Sequence, residues 1–171
     1  MAEVQNRNLD FGASSFEYVF KVYDQGGVEI ASFPGRSFIY PGEIKRLTLL
    51  NEAMPAGSNP ATAGLTMQNP LWTPIARFPR PELRIRTANT AEANGNLVTQ
   101  GTLMNQDSVD FPIVYLTAVY YDSNGAILGV SGTERNNVTA GESREFALFH
   151  PLIPNAAPEK TQVFITAPNL R

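Results

Sequence analysis

Tyr18-Val-Phe-Lys-Val-Tyr-Asp-Gln-Gly-Gly-Val-Glu-Ile30, running on to Pro41-Gly42-Glu43, has a near-copy later in the chain. The copy is Leu116-Thr-Ala-Val-Tyr-Tyr-Asp-Ser-Asn-Gly-Ala-Ile-Leu128, running on to Ala140-Gly141-Glu142. Tyr23, Asp24 and Gly27 fall on Tyr121, Asp122 and Gly125 at a spacing of 98, and Gly42 and Glu43 fall on Gly141 and Glu142 at 99. Self-similarity at such a period marks a duplicated structural unit, and 171 residues hold two units of ordinary domain size.

From Phe16 to Tyr23 the residues alternate, with Phe16, Tyr18, Phe20 and Val22 on one side and Glu17, Val19, Lys21 and Tyr23 on the other. Period two with aromatic and branched residues predicts a half-buried strand. Asp24-Gln-Gly-Gly27 breaks the run and Val28–Phe33 resumes it, which predicts a β-hairpin. The second copy turns at Asp122-Ser-Asn-Gly125, whose Asn-Gly pair tolerates the positive φ of a tight turn. Pro41-Gly42 suits a type II turn, and Ala140-Gly141 keeps its glycine. Strands are then expected over Ile44–Leu50 and Ser143–Phe149, with Leu47, Leu49, Phe146 and Leu148 facing inward. A last strand closes each copy, Thr62–Met67 and Thr161–Thr166. No long 3.6-residue period occurs, so the chain reads as all-β.

The second copy has more in front of it. Leu83-Arg-Ile-Arg-Thr87 and Asn96–Asn105 both predict strands. In the first copy Ala2-Glu-Val-Gln-Asn6 aligns with the second of these, so the counterpart of Leu83–Thr87 would precede Met1. The expectation is a fragment or an N-terminally trimmed chain, with an open sheet edge or a substitute strand. The predicted organisation is a first sandwich over 1–70, a Pro-rich interdomain joint over 71–81, and a second sandwich over 82–171. In the joint, Trp72, Ile75 and Phe78 are expected to pack between the sandwiches, with a ligand-binding Trp72 as the alternative.

Composition excludes several functions. Thirteen basic against 16 acidic residues leave no basic excess for nucleic acid. The absence of cysteine removes disulfides, thiolate metal sites and cysteine nucleophiles. No apolar run reaches the roughly 18 residues of a membrane span. Asp24 and Asp122 stand at turns, but they lack the ring of oxygen ligands that a calcium loop needs, so capping of their own turns is the favoured reading. His150, the sole histidine, has neither a nucleophile elbow nor a second ligand at helical spacing. Glu43 and Glu142 lie about a hundred residues apart and form no evident acid–base pair. No catalytic residue, metal or cofactor is predicted. Arg77, Arg80, Arg84 and Arg86 are the one basic concentration. With Leu83 and Ile85 inward, Arg84 and Arg86 share an outer face, either guarding a sheet edge or meeting an anionic partner.

Phe20-Lys-Val-Tyr-Asp24, followed by a glycine turn and Pro-Gly-Glu, resembles the FxLYD-type domain, with Val22 in the place of leucine. Ala118-Val-Tyr-Tyr-Asp122 departs at both the Phe and Leu positions. Val4-Gln-Asn-Arg-Asn8 is similar to the Val-x-Asn-x-Asn segment of the LEA14-like (WHy) sandwiches. The resemblance implies two tandem immunoglobulin-like antiparallel β-sandwiches, the first lacking its leading strand. It also implies a module outside the cytoplasm, behind an N-terminal membrane anchor, as in envelope proteins of small-genome bacteria. It supplies no catalytic residues. The expected function is a non-enzymatic structural or interaction module whose partner is another envelope protein or polymer. Its surface would be Trp72, Arg77, Phe78, Arg80, Arg84 and Arg86, with Asp24, Gly27, Gly42, Asp122, Gly125 and Gly141 as turn scaffold. The alternatives are glycan or envelope-polymer binding and LEA14-like stress protection.

Overall fold

The computed structural model describes residues 1–50 and 52–168, which divide into one compact unit over Met1–Arg80 and another beginning at Pro81. The protein is all-β, and every strand pairing is antiparallel. Among the described residues the one helical turn is the 3₁₀ turn Pro158–Lys160.

The first unit contains β1 (Ala2–Gln5), β2 (Phe11–Tyr23), β3 (Glu29–Ile39), β4 (Ile44–Leu47) and β5 (Thr62–Pro74). They make a two-stranded sheet, β1-β4, and a three-stranded sheet, β3-β2-β5. The second unit contains β6 (Leu83–Ala93), β7 (Asn96–Asn105), β8 (Phe111–Tyr121), β9 (Ile127–Val138), β10 (Ser143–Pro151) and β11 (Gln162–Thr166). Here the sheets are β10-β7-β6 and β11-β8-β9. Strand for strand, β1 to β5 correspond to β7 to β11. β6 has no counterpart among the described residues of the first unit.

Alternation builds each core. In the second unit Leu97 and Leu103 of β7 and Phe146 and Leu148 of β10 meet Val114, Leu116 and Tyr120 of β8 and Val138 of β9, and all are buried. Leu83 and Ile85 of β6 pack on this cluster. The first core is smaller: Val4 and Leu47 from one sheet against Ala13, Phe16, Phe20 and Ile39 from the other. Asn94-Gly95, both at positive φ, joins β6 to β7 by a two-residue turn.

Several extents differ from the sequence reading. β2 begins at Phe11 rather than Phe16, β3 runs on to Ile39 rather than Phe33, and β4 ends at Leu47 rather than Leu50. β5 runs on to Pro74 rather than stopping at Met67, and β6 runs on to Ala93 rather than Thr87. Pro70 and Pro74 are tolerated because β5 is an outer strand, where a missing N–H need not break a ladder. Register shifts around Ser15 let β2 follow it, so Leu71, Trp72, Thr73 and Pro74 pair with Ser15, Ala13, Gly12 and Phe11. Residues 71–78 are therefore part of the first unit, in place of the separate joint expected over 71–81.

Candidate functional site

The recurring polar residues form backbone clasps. Asp24 Oδ1 accepts from the Val28 amide at 2.9 Å, and Asp122 Oδ1 accepts from the Asn124 and Ala126 amides at 2.8 Å. The Gly27 and Gly125 amides donate to the Asp24 and Asp122 carbonyls at 3.1 Å, with φ of +79° and +86°. Gly42 and Gly141, at +65° and +72°, occupy the third position of turns closed by the Glu43 and Glu142 amides. In each of those turns the glutamate reaches back: Glu43 Oε2 accepts from the Tyr40 amide at 2.7 Å and Glu142 Oε2 from the Thr139 amide at 2.8 Å. The Thr139 amide, helped by Arg144, holds the Glu142 carboxyl below the usual carboxylate range.

Buried asparagines complete both clasps; the sequence reading quoted Asn6 within the Val-x-Asn-x-Asn segment and Asn105 as a strand end, without this role. Asn6 Nδ2 donates to the carbonyls of Phe11 (2.7 Å) and Tyr40 (3.1 Å). Asn105 Nδ2 donates to those of Val109 (2.8 Å) and Thr139 (2.9 Å). Their own backbone amides donate to the Glu43 and Glu142 carbonyls at 2.9 Å. The signal was present, since Asn6 and Asn105 are themselves 99 residues apart.

Lys45 was also missed. It stands where the second unit has Arg144, which reaches outward to Glu142 and to the carbonyls of Asn136 and Asn137. Lys45 instead points inward, two residues before Leu47 on the same face, and is only 4% exposed. Its Nζ lies 3.5 Å from the centroid of the Phe38 ring and has no hydrogen-bond partner among the described residues. Burial pulls its pKa down to about 8, with Glu43 opposing the fall and Arg80 adding to it.

Phe78 closes this end of the first unit. Its ring stacks on Tyr40 at 4.5 Å between centroids and meets Phe38 edge-on at 6.2 Å. Gly12 makes room, since a Cβ there would lie 2.9 Å from Phe78 Cδ1. Phe78 is thus a core residue at 5% exposure, which removes it from the interaction surface predicted for it. Arg77, Arg80, Arg84 and Arg86 are exposed, the first two in the first unit and the last two on β6. Arg86 sits at a register shift between Ile85 and Thr87.

Two exposed apolar residues of the first unit, Met67 and Trp72, line a groove of about 180 Å³ between β1 and β5. Val4 and Phe16 form its floor, with Asn6 at one side and Met67, Pro70 and Trp72 along the β5 wall. Met67 is 52% exposed and Trp72 54%. In the second unit the equivalent place is filled. There β6 lies against β11, and Leu83 and Ile85 pair with Asn105 and Leu103, the counterparts of Asn6 and Val4.

His150 Nδ1 is 2.7 Å from the Pro151 carbonyl oxygen, and its ring leans on Tyr120 at 5.3 Å. Among the described residues no group of three His, Asp or Glu side chains could hold a metal ion, and no helix is long and apolar enough to cross a membrane. No protein-family model and no curated protein matches the chain.

Proposed function

We propose that the chain is a non-enzymatic interaction module of a bacterial cell-envelope protein, built from immunoglobulin-like sandwiches and working outside the cytoplasm. The observation that carries this reading is the groove beside Trp72, an apolar surface left open in one unit and covered in the other. The use of Asp24, Asp122, Glu43 and Glu142 in backbone clasps supports a non-catalytic role. The partner is another envelope component, protein or polymer. A sugar polymer stacked on Trp72, with Arg77 and Arg80 nearby in the chain, is the second reading, favoured by the half-exposed indole.

A photo-crosslinking aromatic amino acid at Leu71, which is 63% exposed, tests the module in the producing cell. The expected result is a discrete adduct with an envelope component, together with digestion of the protein by protease added outside the cytoplasmic membrane. Protection from that protease, or no adduct at Leu71, would overturn it.

A further inference from the structure

We infer that the groove of the first unit receives an extended β-strand from outside residues 1–171, added antiparallel to the edge of β1 that is unpaired among the described residues. This deepens the interaction-module reading and rests on it. The second unit shows what such an occupant looks like. There β7 carries β10 on one edge and β6 on the other, whereas among the described residues β1 carries only β4. Transferring the β6–β7 register through the 99-residue offset sets the donor's residues one by one. A residue like Leu83 falls opposite Asn6, one like Arg84 opposite Gln5, and one like Ile85 opposite Val4. The two apolar side chains, two residues apart, point toward Val4 and Phe16, the groove floor.

Burial of the neighbouring strand gives independent support. Beside β6, Ile165 and Thr166 are half-buried. Their counterparts by strand register, Met67 and Gln68, are both exposed. Glu3, on the outward face of β1, is already paired with Arg46 at 2.6 Å, so charge does not narrow the occupant. The occupant is an extended segment with apolar residues at alternate positions, held by main-chain hydrogen bonds and read by side-chain pockets.

The probe is a synthetic peptide spanning Pro81–Ala88, added to the whole chain. Trp72, the only tryptophan, reports occupancy of the groove directly. Saturable change in its emission is expected, and Met67→Asp should weaken peptide binding about tenfold or more, read by anisotropy of a labelled peptide. Met67 is exposed, so an unchanged melting curve separates this loss from unfolding. A peptide carrying Leu83→Asp and Ile85→Asp should not bind. N-methylation of alternate peptide amides should abolish binding in one set and spare it in the other. Equal tolerance of both sets would show apolar docking without strand pairing and overturn the inference. So would silence of Trp72 up to about 1 mM peptide, an affinity too weak for a specific strand. Response to an envelope polysaccharide alone would overturn strand addition while leaving the module reading intact. Absence of any Leu71 adduct would remove both. A protein already dimeric, whose dimer the peptide dissolves, would assign the groove to a second copy instead.

Discussion

Lys45 is the residue whose environment departs furthest from its chemistry. An ammonium enclosed by Phe38 and its neighbours loses hydration that the ring face returns only in part. The drop from 10.5 to about 8 corresponds to roughly 3 kcal/mol. Below about pH 8 both folded and unfolded chains hold the proton, and the full penalty stands. Between about 8 and 10.5 the unfolded chain holds a proton that the folded chain has released, so stability rises with pH through that window. Burial raises the hydroxyl pKa of Tyr18 and Tyr120 above 10.0, and they act with the opposite sign at higher pH. Urea melts of the chain are therefore expected to shift upward from pH 8 to 10. Lys45→Met should remove that slope and gain about 1–3 kcal/mol at pH 7. Loss of stability on this substitution would mean that the amine is satisfied in solution. Asn105 is the converse case, fully buried and bonded. Asn105→Ala should cost about 2–4 kcal/mol, because the carbonyls of Val109 and Thr139 lose their donor.

At the scale of elements, the hairpins were the most legible part of the sequence. Alternation over Phe16–Tyr23 and the Asp-x-x-Gly turns contain the whole local instruction, and β2, β3, β8 and β9 follow it. Extents were less legible because tertiary partners set them. Pro70 and Pro74 read as the end of a strand, yet an outer strand needs hydrogen bonds on one side only, and the shifts around Ser15 keep them in register. Phe78 read as a linker aromatic because the feature that seats it, the missing Cβ of Gly12, lies 66 positions earlier and is silent in any local window. The groove was legible as a missing strand but not as a lined surface, since that needs the spatial meeting of Val4 with Met67 and Trp72. Turn chemistry gives a direct test. Gly125→Ala meets no steric obstacle within 4 Å, so its cost should be the backbone strain of φ +86°, about 1 kcal/mol by equilibrium unfolding. Asp122→Ala should cost a similar amount, about 1 kcal/mol, by freeing the Asn124 and Ala126 amides. A neutral result for both would place the hairpin's stability in its strands alone.

For the whole molecule, the two cores differ in size and in closure. Among the described residues the second unit is covered by six strands, and in the first β1 is unpaired on one edge. The first unit should therefore unfold at lower denaturant. Trp72 emission follows it alone, while far-ultraviolet circular dichroism follows both units. The tryptophan transition is expected to finish before the dichroism transition, and coincident curves would show one cooperative system. The unit that is better closed carries a different weakness in its turns. Asn94-Gly95 and Asn124-Gly125 are the two places where an asparagine precedes glycine, and both lie in the second unit. With no Cβ on the following residue, the backbone nitrogen reaches the asparagine carbonyl with little hindrance. Ammonia is lost, and the succinimide opens to aspartate or isoaspartate. The first hairpin has Gln25-Gly26 at its turn and is spared. Stored protein should thus gain negative charge in its second unit only, and isoaspartate at Asn94 would lengthen the two-residue turn that joins β6 to β7. The more stable half of the molecule is the half that ages.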